Sequence, residues 1–197
     1  VRVSGSRSKL WVWALLALPG SVALQRWWMT PDAWPGDMLH PTGEWSARFI
    51  ILALMVTPLR QLFPGSRAVA FLARHRRALG VAGFLYALAH LLFYVLDMET
   101  AEAMLAELGA PAIWTGWLAL ALLIPLGLTS NDAAMRALRS GWKRLQRLAY
   151  PMALLTLVHW ALIHDGLVPA LVHFLPLALL QGWRAARHLR SQTTRSL

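Results

Sequence analysis

The chain has 197 residues, 57% of them hydrophobic and 14% charged, with a mean hydropathy of +0.48, a composition that excludes an ordinary soluble domain and fits a polytopic membrane protein. Its net charge of +10 is held in short clusters between long apolar runs, which reads as membrane topology and not as a nucleic-acid surface. With no cysteine, the chain has no disulfide, iron–sulfur cluster, thiolate zinc site or covalently attached c-type haem, so any haem is held by axial ligands and non-covalent contacts.

Arg2, Arg7 and Lys9 precede LWVWALLALPGSVAL, a pattern that a cleaved signal peptide would share. The apolar run continues to Trp27 and Trp28 without a small-x-small cleavage site, so an uncleaved first span is expected over about 10–28. MTPDAWPGDMLHPTG, rich in Pro, Gly and Asp, reads as a loop. A second span covers about 44–62, with Thr57 and Pro58 near its end, and a strongly basic connection from Arg60 to Arg77 leads to a third over about 78–97. METAEAMLAELGAP predicts a short amphipathic helix at the surface. The fourth span, about 112–129, contains Gly116, Pro125 and Gly127, and the basic amphipathic stretch SNDAAMRALRSGWKRLQR follows it. A fifth span over about 146–164, a tight turn at His164, Asp165 and Gly166, a sixth over about 167–183 and a basic tail complete the chain.

The expected fold is therefore an all-α integral membrane protein, a single six-transmembrane helical bundle over residues 1–197, with spans close to the ~20 residues a bilayer core requires. All but Arg26 and Arg48 of the 19 basic residues fall on one side if both termini are cytoplasmic, as the positive-inside rule requires. Trp27, Trp28, Trp34, Trp45, Trp114 and Trp117 then mark the outer boundary, and Trp11, Trp142 and Trp183 the inner one. No sequence repeat is evident.

The third and fifth spans each hold an ionisable group deep in an apolar run, His90 and His159, and polar groups at such depth usually face a partner or cofactor. His90 lies 13 residues past Arg77 and His159 lies 12 past Arg147; both are about 18–20 Å beyond the last inner arginine. A lone membrane histidine has a plain alternative, a hydrogen bond to a neighbouring helix. Two at matching depth on spans of like direction fit the axial ligands of a six-coordinate haem, which moves electrons and has no open position for oxygen. Gly80, Ala82, Gly83, Ala87 and Ala89 thin the third span for a flat macrocycle, and Tyr94 lies one turn beyond His90.

His40 and His164 are expected in outer loops, His173 as a core hydrogen-bonder or propionate contact, and His188 in the basic tail. His75, among arginines, reads as an interfacial residue at the depth of an inner cofactor. Asp97, His164 and Asp165 are a weak outer metal candidate, and no phosphate loop, H-E-x-x-H or Ser-His-Asp pattern is present.

HPTGEWSARFIILALMVTPLRQL, RHRRALGVAGFLYALAHLLFYVLD, GWLALALLIPLGLTSND and WKRLQRLAYPMALLTLVHW together resemble the ferric-reductase-like transmembrane family over nearly the whole chain. The resemblance is to its branch serving periplasmic protein-methionine-sulfoxide reduction. It implies an inner-membrane electron-transfer subunit with b-type haem and FMN as cofactors. Electrons would come from the quinol pool or a flavin reductase and go to a periplasmic molybdopterin-dependent partner, where catalysis occurs in the repair of oxidised proteins. His90 and His159 match the family's histidines. The family's L-H-R-L is LQRL here, so Gln146 stands where the family has histidine, and an inner haem would need His75. On one ideal helix Gln146 and His159 would be about 140° apart, a phase that Pro151 can alter. No residues are assigned to FMN.

Two rival readings remain: a self-contained ferric-reductase-like haem protein, and a small transporter or structural membrane partner. The first needs a nicotinamide- and flavin-binding domain, where only a short basic tail follows the sixth span. The second more often shows an intramembrane acid or repeat symmetry.

Overall fold

The computed structural model describes the backbone of residues 4–163 and 167–193, and this is α-helical apart from short connections. The order is α1 (Ser4–Met29), a 3₁₀ turn (Pro35–Met38), α2 (Leu39–Leu62), α3 (Arg67–Met98), α4 (Ala101–Glu107), α5 (Pro111–Leu128), α6 (Asp132–Leu138), α7 (Ser140–Gln146), α8 (Ala149–Ile163) and α9 (Leu167–Thr193). The expected turn at 164–166, with His164 and Asp165 of the metal reading, and the tail beyond 193 lie outside the described residues. Among the described residues no group of three or more His, Asp or Glu gathers as a metal site.

A helix stands at each predicted span, and α3, α5 and α9 combine the length and apolarity of a membrane crossing. At 26 and 24 residues, α1 and α2 are long enough, but Lys9 and Arg26 in the first and Glu44, Arg48 and Arg60 in the second make them more polar. α8, at 15 residues, is about 22 Å long.

Several boundaries differ from expectation for identifiable reasons. The basic stretch before the third span is helical from Arg67, because the Ser66 hydroxyl accepts a hydrogen bond from the Val69 amide and caps the helix. HPTG is not loop but the first turns of α2. Pro41 is tolerated there since an amide at the third helical position has no partner within its own helix. Asp37 prepares that start by accepting from the Trp34 amide at 2.9 Å. The basic stretch after α5 is two short helices that break at Arg139, where φ is 48°.

The helix at the predicted fifth span begins at Ala149, and Gln146 is the last residue of α7. Pro151 has no amide to give the Arg147 carbonyl; the Tyr150 amide takes that place at 3.1 Å, and the helix restarts. Gln146 and His159 thus lie on different helices, and a single-helix phase angle does not relate them.

The most extensive pairings are α2 with α3 and α5 with α8, and α9 packs on α2 and α8. Their shared core joins Ile50, Ile51 and Leu54 of α2, Phe84 of α3, Leu123 of α5, Met152 and Trp160 of α8, and Phe174 of α9. A smaller cluster ties α1 on through Val12 and Leu16 against Phe49, Val56 and Leu79. Tyr86 of α3 reinforces it: its hydroxyl accepts from the Gly20 amide at 2.6 Å and donates to the Leu16 carbonyl at 3.1 Å. Pro58 deprives the Leu54 carbonyl of its helical donor, and Gln181 of α9 supplies a replacement at 3.1 Å. Large apolar side chains such as Leu85, Leu92, Leu118, Leu175 and Leu179 point outward, a surface that suits lipid better than water.

Candidate functional site

His90 of α3 and His159 of α8 meet at a cavity of 410 Å³ between α2, α3, α5 and α8. Their ring centres are 6.3 Å apart and the rings are nearly perpendicular, at 81°. A metal–imidazole bond is about 2 Å and the ligating nitrogen is about 1 Å from its ring centre, so two rings on opposite sides of one metal have centres roughly 6 Å apart. The observed separation matches that requirement.

Each imidazole is held from behind. The Nδ1 atom of His90 is 2.9 Å from the Leu39 carbonyl oxygen, and that of His159 is 2.6 Å from the Ala112 carbonyl oxygen. A carbonyl only accepts, so both rings carry their proton on Nδ1 and the Nε2 lone pair is the ligating one. Metal-binding histidines are oriented by this kind of second hydrogen bond.

The two seats have the same construction. Leu39 and Ala112 lie in the first turn of their helices; four residues later in each comes a glycine, Gly43 and Gly116, on which the imidazole rests. A Cβ on Gly43 would be 3.1 Å from His90 Nδ1, and one on Gly116 would be 2.7 Å from His159 Cε1. Before each glycine is a buried threonine. Thr42 donates to the Met38 and Leu39 carbonyls at 2.5 and 3.2 Å, and Thr115 to the Pro111 and Ala112 carbonyls at 2.7 and 3.0 Å. These hydroxyls satisfy themselves within their own helix, which lets a polar residue be buried beside an apolar cavity.

Small or apolar residues, Ala47, Ile50, Ala87, Ala119, Leu120 and Leu123, make up much of the remaining lining. The polar part includes Glu44, Tyr94 and Glu107, with the Tyr94 hydroxyl donating to Glu107 at 3.3 Å. Glu44 pairs with Arg48 at 2.6 Å and with His40 at 3.5 Å. Arg48 stacks on Trp45 and donates from Nε to His173 Nε2 at 3.4 Å. His173 bonds the Pro169 carbonyl through Nδ1 at 2.8 Å and stacks on Trp160, so it acts as a hydrogen-bonder linking α9 to α2 and α8.

Neither His75 nor Gln146 lines this cavity. The His75 ring lies over Phe71 of its own helix and bonds the Phe71 carbonyl at 2.9 Å. Gln146 donates to the Leu126 carbonyl at the end of α5, at 3.4 Å, beside the Ser130 hydroxyl that bonds the same oxygen. Of the small residues expected to make room on α3, Ala87 lines the cavity, whereas Gly83 packs against Ile50 and a Cβ on Gly80 would meet open space. The residues that seat the rings come instead from α2 and α5. A legible signal for them existed: Thr-Gly occurs at the head of both helices, as TGEW and TGW.

At the other end of the bundle, Arg77 of α3 pairs with Asp132 of α6. The hydrogen bond from the Arg77 guanidinium, followed by its charge, holds the Asp132 carboxyl below its usual range.

The profile of the family described as "Ferric reductase like transmembrane component" matches residues 42–157, which include His90, Ala112 and both Thr-Gly pairs, with His159 two residues beyond its end. Three relatives are each named "Protein-methionine-sulfoxide reductase heme-binding subunit MsrQ". The chain is 38% identical to the one from Xanthomonas oryzae pv. oryzae (strain MAFF 311018) over 192 residues, 93% of this chain and 86% of that protein. It is 39% identical to that of Xanthomonas campestris pv. campestris (strain 8004) over 163 residues, covering 80% and 72%. With that of Rhizobium meliloti (strain 1021) the identity is 36% over 185 residues, 89% and 83% of the two chains. No solved structure gives a significant match. The chain belongs to the ferric-reductase-like transmembrane family, in the group of the MsrQ proteins.

Proposed function

We propose that this chain is a membrane electron-transfer subunit that holds one b-type haem through His90 and His159. The observation that carries the reading is the pair of imidazoles fixed as Nδ1–H tautomers with ring centres 6.3 Å apart. Haem, when bound, supplies one-electron transfer without an open coordination position. The chain's own part is to aim two Nε2 lone pairs into one cavity, to hold them with the Leu39 and Ala112 carbonyls, and to keep the surroundings largely apolar.

The reading extends to six membrane crossings with both termini cytoplasmic, in a bacterial inner membrane, which puts the histidine pair toward the periplasmic side. Electrons then enter from the quinol pool or a flavin reductase. They leave to a periplasmic molybdopterin-dependent partner that reduces methionine sulfoxide in oxidised proteins. The names of the relatives support the assignment to that system. FMN is retained without residues, as the histidine cavity has no Arg or Lys in its lining to take a phosphate.

The test is an absorption spectrum of the protein purified in mild detergent from haem-replete cells, with pyridine haemochrome quantification. Close to one low-spin b-type haem per chain is expected. A colourless protein, or a high-spin haem unchanged by replacing either histidine, overturns the assignment.

A further inference from the structure

A second cavity, of 710 Å³, lies at the opposite end of α2 from the histidine pair. It is formed where the end of α2, the start of α8 and the second half of α9 come together, and its lining includes Arg60, Arg184 and Arg187 with Tyr150 and Gln181 but no Asp or Glu. None of these three arginines forms a salt bridge among the described residues. Three like charges around one hollow repel one another, and a bound anion removes that repulsion.

The cavity is built and not an accident of mobile side chains. Gln181 donates to the Leu54 carbonyl that Pro58 leaves without a helical donor, which fixes α9 against α2 one turn before Arg184. Arg184 donates to the Tyr150 hydroxyl at 3.1 Å, orienting its guanidinium toward α8. Arg187 extends over the ring of Trp183 at 5.5 Å. Guanidinium groups present paired donors that match phosphate oxygens.

What leads to the cavity indicates the source of the phosphate. On α9, Leu175 and Leu179 are exposed in the turns before Trp183, and Arg187 follows one turn later. An apolar track ending in tryptophan and then arginine matches an acyl chain, its interface and its headgroup in that order. We propose that this cavity is a binding site for the phosphate of an anionic phospholipid, held by Arg60, Arg184 and Arg187.

The test uses the full chain in mild detergent, with melting temperature followed by far-ultraviolet circular dichroism. Phosphatidylglycerol, phosphatidylcholine and inorganic phosphate are titrated separately. Phosphatidylglycerol at about one hundred times its dissociation constant is expected to raise the melting temperature by roughly 5 °C, with no comparable rise from phosphatidylcholine. The combined Arg60→Gln, Arg184→Gln, Arg187→Gln variant should lose the rise. Should that variant not fold, Arg187→Gln alone, an exposed side chain whose ring contact is with Trp183, is expected to weaken phosphatidylglycerol about tenfold. An equal rise with inorganic phosphate that the same substitutions abolish supports the phosphate site but assigns it to a soluble ligand. A rise that phosphatidylcholine matches, a rise that survives the substitutions, or no rise with either phosphate probe overturns the proposal.

Discussion

The seats of His90 and His159 use one device at two degrees of tightness. Both place a carbonyl, a threonine and a glycine at fixed spacing in the first turns of a helix and bring in the imidazole from the helix paired with it. At His159 the hydrogen bond is 2.6 Å and the glycine admits nothing larger, a virtual Cβ coming within 2.7 Å of the ring. His90 is held at 2.9 Å with 3.1 Å of clearance, and the Thr42 hydroxyl is 3.5 Å from its Nδ1. The closer seat gets its precision from packing, whereas the looser one has a second polar group nearby. Substitutions in the two are therefore expected to differ in size and in kind.

Removing the rings themselves gives the largest effect. His90→Ala and His159→Ala should each lose most of the haem after purification; full retention of a low-spin spectrum by both variants would place the ligands elsewhere.

Next come the glycines. Gly116→Ala must displace the His159 ring, a misfit of about 1–3 kcal/mol, and should lower haem occupancy clearly more than Gly43→Ala. Equal occupancy in the two variants would break the distinction between a tight and a loose seat. Smaller effects are expected from the threonines. Thr42→Val and Thr115→Val each remove hydroxyl bonds worth about 1 kcal/mol, and the first should also shift the haem midpoint potential, since the Thr42 hydroxyl is 3.5 Å from His90 Nδ1. Redox titration of both variants against the native protein measures this.

A change outside both seats serves as a control. Gln146→His restores the residue type that the family resemblance implies, yet Gln146 is bonded to the Leu126 carbonyl and His75 to the Phe71 carbonyl. The expected result is an unchanged haem stoichiometry and one redox component. A second component would show that an imidazole at 146 finds a partner across the bundle.

The smallest effect belongs to Asp132. Arg77 depresses its carboxyl in the folded protein, so the pair contributes stability above the unfolded carboxyl pKa, and that contribution is lost as pH falls through the lower folded value. The melting-temperature gap between native protein and Asp132→Asn should thus be small near neutral pH and close as the solution becomes strongly acidic. A gap that widens on acidification contradicts the assignment.

Much of the helical layout was legible because apolar runs of span length have few alternative readings. His90 and His159 stood out for the same reason, as isolated ionisable groups in such runs. The seats were legible only as a repeated Thr-Gly pair, with nothing to show what rests on it. HPTG carries the marks of a loop, and only the 3₁₀ turn at Pro35–Met38 and the tolerance of a helix start for Pro41 turn it into the head of α2. Gly116 was noted as a small residue in a span, but nothing local says that a ring from 43 residues further along the chain will lie on it. The helix at the predicted fifth span starts later than its apolar pattern, because that periodicity runs on through Leu145 and Leu148 while the missing amide of Pro151 ends the preceding helix. Clustering of Arg60 with Arg184 and Arg187 depends on long-range docking of α9 and had no local signature.

The direction of dependence within each seat has a consequence for biosynthesis. Leu39 precedes His90 by 51 residues and Ala112 precedes His159 by 47, so in both pairs the receiving helix is synthesised before the ring that docks on it. A nascent chain can complete the first half-site as soon as α3 has emerged, before any of the second exists. The second closes only once His159 of α8 has been made, 69 residues after His90. A chain interrupted between these helices would carry one oriented imidazole and no opposing one.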